Sequence, residues 1–152
     1  MTPTSQTDIA DLGRRLALLE DREAIRELTA RYCWLVTRGE AEAVSALYTA
    51  DGVFEVPAPD GGRHETVGRA AIFQRLASVR PGQVCPIVGN HIIAVTGDEA
   101  VGTCAMRNTP RDVEGNLSQV VGFYRDQYRR EDGGWRFAAR RWFIYVPVYD
   151  VG

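Results

Sequence analysis

Lysine is missing altogether: all eighteen basic side chains of the 152-residue chain are arginines. That excludes a Schiff-base lysine, a lysine general base and the phosphate-binding lysine of a Walker loop. Cysteine is scarce. Cys33, Cys85 and Cys104 are odd in number, far apart and form no C-x-x-C pair, so neither a disulfide framework nor a zinc site is suggested. Neither G-x-G-x-x-G nor G-x-S-x-G occurs, and no His/Asp/Glu spacing suggests a metal site, so the sequence indicates no cofactor. Excess charge is lacking as well: a net charge of -2 gives no field to attract nucleic acid or an anionic membrane surface. No apolar run approaches membrane-spanning length, and residues 1–11 lack the basic start and apolar stretch of a signal peptide. The expected location is therefore the cytoplasm.

What is present is ordinary for a soluble protein. Hydrophobic residues make up 45% and charged residues 25%, which disfavours disorder and fibrous repeats and fits one domain over residues 1–152. Leu12, Leu16, Leu19, Ile25, Leu28, Tyr32, Leu35 and Val36 recur at helical spacing. With Asp21 as a cap, they predict a short helix and then a longer one ending near Gly39. A third helix is expected over 40–48, a hairpin over 53–67 with its turn at 57–62, and another helix over 68–78. Four strands follow at 87–96, 100–108, 117–130 and 135–148, in meander order. Helices first and antiparallel strands afterwards make the α+β pattern, with helices covering one face of a curved sheet.

The stretch DREAIRELTARY at 21–32, then RGE at 38–40, ALY at 46–48, DGVF at 51–54, GRAAI at 68–72, GDEA at 97–100 and YRREDGGWRF at 128–137 resembles the nuclear transport factor 2-like superfamily. Within it the chain is similar to the SnoaL-like group, which includes polyketide cyclases, scytalone dehydratase and ketosteroid isomerase relatives. The similarity spans about residues 15–145. It implies a cone-shaped curved antiparallel sheet wrapped around N-terminal helices, a cystatin-like α+β barrel with an apolar pocket. Because that scaffold hosts many chemistries, function has to come from the site.

The resemblance directs attention to particular positions. Dehydratase-like members carry an Asp near the end of the long helix and a His at the start of the first long strand. Here those positions fall on Thr37 and Pro86, so the dyad is missing. In isomerase-like members the base position falls on Val56 and the acid position near Phe123 or Tyr124, while the oxyanion tyrosine is retained as Tyr32. Tyr124 shares a strand face with Gly122, which alignment with scytalone dehydratase puts in the pocket. Alternation along the last strand sets Phe137, Ala139 and Arg141 on one face and Arg140 and Trp142 on the other. In dechlorinating relatives an Arg at the position of Arg140 points into the cone. Trp142 is expected as a pocket wall and Trp135 as core. Asn90 would face the pocket and His91 away from it, toward a dimer interface, unless a β-bulge reverses them. His64 is expected to be exposed. Cys104, Met106 and Asn108 share a face that the resemblance puts in the pocket, with Cys85 also lining it. Tyr149 and Asp150 lie in a tail that could reach the pocket mouth.

The resemblance implies a cofactor-independent lyase, isomerase or cyclase acting on a small, mostly apolar aromatic or polyketide-like carbonyl or phenolic compound. Tyr32 and Tyr124 would polarise an oxygen and Arg140 would hold developing negative charge. Trp142, Met106, Val56 and Phe54 would shape the pocket, with Asn90, Asn108, Cys104 and Thr37 as further substrate contacts. No proton-abstracting base is identifiable. A non-catalytic small-molecule-binding protein on the same scaffold is the alternative, and an association module is a third reading. A homodimer through the convex sheet face is expected.

Overall fold

The computed structural model describes the backbone of residues 6–150 and the side chains of residues 8–145, so the side chains of Tyr149 and Asp150 lie outside the described residues. Helix α1 (Gln6–Arg38) runs without interruption, in place of the expected pair of helices. Asp21 does not cap a new helix. Its carboxylate accepts hydrogen bonds from Arg130 Nη2 at 2.6 Å and Trp135 Nε1 at 3.0 Å, partners that only the folded sheet supplies. The helix stops at Gly39, whose φ of 71° is open to glycine at little cost. There Gly39 N–H donates to Val36 O and Glu40 N–H to Leu35 O, both at 3.0 Å, closing the last turn.

After the short helix α2 (Ala41–Ala46), strands β1 (Tyr48–Pro57) and β2 (Arg63–Val67) form the hairpin, and helix α3 (Arg69–Leu76) follows. Strands β3 (Pro86–Thr96), β4 (Glu99–Asn108), β5 (Ser118–Glu131) and β6 (Gly134–Asp150) complete one six-stranded sheet in the order β2-β1-β6-β5-β4-β3. The four-strand meander is present as expected. The sheet differs from an all-antiparallel barrel in two respects: β1 runs parallel to β6, and the edge strands β2 and β3 do not pair, so the curved sheet stays open. Helix α1 lies in its concavity, where Ile25, Leu28, Tyr32, Leu35 and Val36 are buried against Tyr48, Phe54, Tyr128 and Phe137. Among the described residues no helix is long and apolar enough to cross a membrane.

Two irregularities in the sheet decide what faces inward. On β3, Gly89 pairs with Ala105 and Ile92 with Thr103, leaving Asn90 and His91 together opposite Cys104. Asn90 takes a φ of 52°, a left-handed conformation that Asn adopts more readily than most residues. This bulge turns His91 inward and leaves Asn90 exposed, reversing the simple alternation. On β6, Phe137 pairs with Tyr128 and Ala139 with Gln127, so Ala138 is an extra residue. Phe137 thereby joins Arg140 and Trp142 on the inner side instead of facing outward with Arg141.

A third irregularity is buried in β5. A Cβ on Gly122 would collide with the Phe143 backbone carbonyl of β6, which a strand paired on both sides cannot withdraw. Gly122→Ala should therefore destabilise the protein by about 2–3 kcal/mol, read as a lower melting temperature. Alanine at the exposed helical residue Gly13 meets no atom within 4 Å and serves as the control, with no loss of melting temperature expected.

Candidate functional site

Helix α1, strand β1, helix α3 and the inner face of β4 to β6 line a solvent-open cavity of about 470 Å³. That volume suits a compact organic molecule. Of the residues singled out by sequence, Tyr32, Tyr124, Trp142, Asn108, Val56 and Phe54 line it. Leu76, Val79 and Val84 complete an apolar wall. The Asn108 side chain also accepts a hydrogen bond from the Cys85 N–H at 2.9 Å, which fixes its amide. Trp142 Nε1 is buried without a hydrogen-bond partner.

The remaining sequence candidates occupy other places. Met106 and Cys104 are buried behind the cavity, packed with Tyr124. Thr37 donates its hydroxyl to the Cys33 carbonyl at 2.8 Å, one turn back along α1. Asn90 is exposed by the β3 bulge, and Cys85 is exposed although the sequence placed it in the pocket. His64 is exposed on β2, as expected.

Arg140 is wholly buried but does not reach the cavity surface. Its Cζ lies 3.7 Å from the centre of the Tyr124 ring, 4.3 Å from that of Tyr32 and 4.7 Å from that of Phe137. The guanidinium Nε and Nη1 have no hydrogen-bond partner and rest against these π faces. A desolvated cation on an aromatic face gains about 2 kcal/mol or more, so three rings make a favourable seat for a buried charge. The cation therefore stands behind Tyr32 and Tyr124, whose rings separate it from the cavity.

A carboxylate balances it. Arg140 Nη2 lies 3.6 Å from Asp126 Oδ2, with both side chains fully buried, and 3.9 Å from Cys104 Sγ. Asp126 Oδ2 accepts a hydrogen bond from the Tyr128 hydroxyl at 2.9 Å, and His91 Nε2 lies 3.1 Å from that hydroxyl. With the phenol proton directed at the carboxylate, a neutral imidazole donates from Nε2–H. Glycine makes room for this chain: a Cβ at Gly102 would stand 3.1 Å from both His91 Nε2 and the Tyr128 ring. The metal-binding atoms of His91, Cys104 and Asp126 lie within 4.8 Å of one another, but Arg140 already supplies the cation among them.

Burial dominates the proton affinities. It pushes the Tyr32 phenol up to about 12 and that of Tyr124 well above its ordinary value, despite the opposing pull of Arg140, so both are hydrogen-bond donors near neutral pH. Burial likewise lifts the Cys104 thiol to about 12, which makes it a poor nucleophile. Desolvation raises Asp126 to about 6 against the pull of Arg140 and Tyr128. His91 is lowered to about 4 by desolvation, then by Arg140 and Arg26.

Those two shifts have opposite consequences for stability. A histidine lowered from 6.5 stabilises the fold fully above pH 6.5, and that contribution is lost as pH falls toward 4. An aspartate raised from 3.8 contributes fully below pH 3.8, and its contribution is lost as pH rises through 6. Between these limits the slopes oppose each other. Asp126→Asn should leave a melting temperature that drops on acidification from pH 6.5 to 4, whereas His91→Phe should leave one that rises. Identical pH profiles for the two variants would contradict this assignment.

Asp126 and Tyr128 are inward residues that the sequence reading missed. The signal was available: they lie two and four residues beyond Tyr124, on the face that alternation had already turned inward. The wall residue Arg75 was also missed, although Ile72 and Leu76 mark its helix as amphipathic.

The model of the SnoaL-like domain matches residues 17–141. No curated protein matches the chain. Among solved structures, an NTF2-like protein with a cystatin-like fold from Novosphingobium aromaticivorans is 30% identical, with 94% of each chain covered and a TM-score of 0.74. A variant of Rv3472 from Mycobacterium tuberculosis, of unknown function, is 25% identical, with 94% of this chain and 78% of that one covered and a TM-score of 0.71. A Novosphingobium aromaticivorans protein provisionally assigned as a scytalone dehydratase shares the fold at 22% identity, covering 88% of this chain and 89% of its own, with a TM-score of 0.76.

Proposed function

The chain belongs to the SnoaL-like domain family, and on that premise we propose an enzyme of lyase, isomerase or cyclase type. Its substrate is a small, mostly apolar aromatic or polyketide-like carbonyl or phenolic compound. The observation that carries this reading is the buried Arg140 seated under the rings of two tyrosines that line the cavity. A fixed cation behind a phenol ring strengthens the hydroxyl as a donor to charge that develops on a substrate oxygen. Tyr32 and Tyr124 are thus the oxygen-polarising pair. Arg140 acts through them instead of contacting the ligand. Positioning and electrostatic stabilisation suffice for ring closure or elimination in an activated substrate, and neither needs a strong base.

A second reading has its own support. Among the described residues the cavity wall carries no carboxylate and no imidazole, which favours a small-molecule-binding protein that does no proton abstraction. We assign the working form to a cytoplasmic homodimer joined through the outer sheet face, where Ile92 and Val101 are exposed. His91, turned inward, is not part of that face.

The test is native mass spectrometry against aromatic, polyketide-like and steroid-like carbonyl compounds, with product analysis of the same samples. Loss of water or a small fragment, or an isomerised product, supports the enzyme. Stoichiometric uptake with the ligand recovered intact supports the binding protein, and no uptake of any compound overturns both.

A further inference from the structure

Arg75 is the one charged side chain on the cavity wall among the described residues. It sits in the last turn of α3, half-buried, with its Cζ 5.8 Å from the centre of the Phe54 ring. No ion pair holds it among the described residues. Glu55 of β1, on the strand that carries Phe54 and Val56, is already bound by Arg63 and Arg141 on the outer side. The fully buried cation, Arg140, is neutralised by Asp126 and screened from the cavity by two rings. The cavity therefore presents one uncompensated positive charge in an otherwise apolar and phenolic wall.

We propose that the ligand of this cavity is an organic anion, an aromatic or polyketide-like carboxylate whose charged group pairs with Arg75 while a carbonyl or phenolic oxygen meets Tyr32 and Tyr124. The inference rests on the cavity being the functional site and adds the charge class of its ligand. A guanidinium presents a planar fork of N–H donors that fits a carboxylate with two parallel hydrogen bonds, and a half-buried setting screens the pair less than open water does. The apolar wall takes the carbon skeleton. The phenols stay protonated because of their burial, so they donate to the oxygen at the other group. Asn108 offers a neutral polar contact that does not discriminate between an acid and its ester.

The experiment is calorimetric titration with 6-hydroxy-2-naphthoic acid, its methyl ester and 2-naphthol, on the wild type and on Arg75→Met and Arg75→Gln. The wild type should bind the acid about tenfold more tightly than the ester, the size expected of a charge-assisted contact. Both variants should lose that preference while keeping their affinity for 2-naphthol. Equal binding of acid and ester by the wild type overturns the inference and leaves the proposed function standing, as does a preference that survives both substitutions. Failure of all three compounds to bind the wild type overturns the inference together with the cavity reading on which it rests.

Discussion

Replacing Arg140 with methionine should cost about 3–5 kcal/mol of stability, the range for removing one partner of a buried ion pair. The reason is the carboxyl left behind, which must stay as an unpaired buried charge or take up a proton. Asp126 is fully buried, its Oδ1 already has no hydrogen-bond partner, and its Oδ2 would keep only the Tyr128 hydroxyl. The companion variant separates charge from packing. In Arg140→Met with Asp126→Asn no ion is stranded, so most of the lost stability should return while ligand binding and turnover remain impaired. Recovery of both would mean that Arg140 serves only to neutralise Asp126. Denaturant unfolding and ligand titration on the wild type, the two single variants and the double variant read the two effects independently.

Removal of the cavity phenols has the second large effect. Tyr32→Phe and Tyr124→Phe keep the rings that seat the guanidinium, so each variant should fold with little loss of stability. If the phenols stabilise developing charge on oxygen, each substitution should lower kcat by about a hundredfold to a thousandfold, with a smaller change in KM. If the protein only binds its ligand, the loss is confined to affinity and stays near tenfold, as for one neutral hydrogen bond. The ratio between the two therefore distinguishes the enzyme from the binding protein, whatever the stereochemistry of the reaction. Burial raises both phenols above neutrality, so the difference should persist across pH 6 to 8.

Much of the architecture was legible because it rests on local periodicity. Alternation along β4 and β5 and the 3.6-residue spacing of Ile25, Leu28, Tyr32 and Leu35 are properties of the chain itself. Continuity of α1 through Asp21 was not legible, since the bonds from Arg130 and Trp135 that occupy its carboxylate come from more than one hundred residues away along the chain. The exchange of Asn90 and His91 depends on a bulge opposite Cys104, and the inward turn of Phe137 depends on an extra residue at Ala138. Period-two counting cannot register either one. Arg140 illustrates the limit most clearly. Its inward direction followed from the resemblance, but its seat behind Tyr32 and Tyr124 comes from three rings supplied by α1, β5 and β6. Asp126 was within reach of alternation from Tyr124, yet the family's acid position falls at Phe123 or Tyr124, short of it.

Polarisation of a ligand oxygen by the two phenols, backed by the buried cation, is the core of the proposed function. It is tested most directly by the infrared carbonyl stretch of 2-acetonaphthone bound in the cavity. A stretch at lower frequency is expected in the wild type than in the variant carrying both Tyr32→Phe and Tyr124→Phe, because hydrogen bonding weakens the C=O bond. A carbonyl band at the same frequency in both proteins would contradict it.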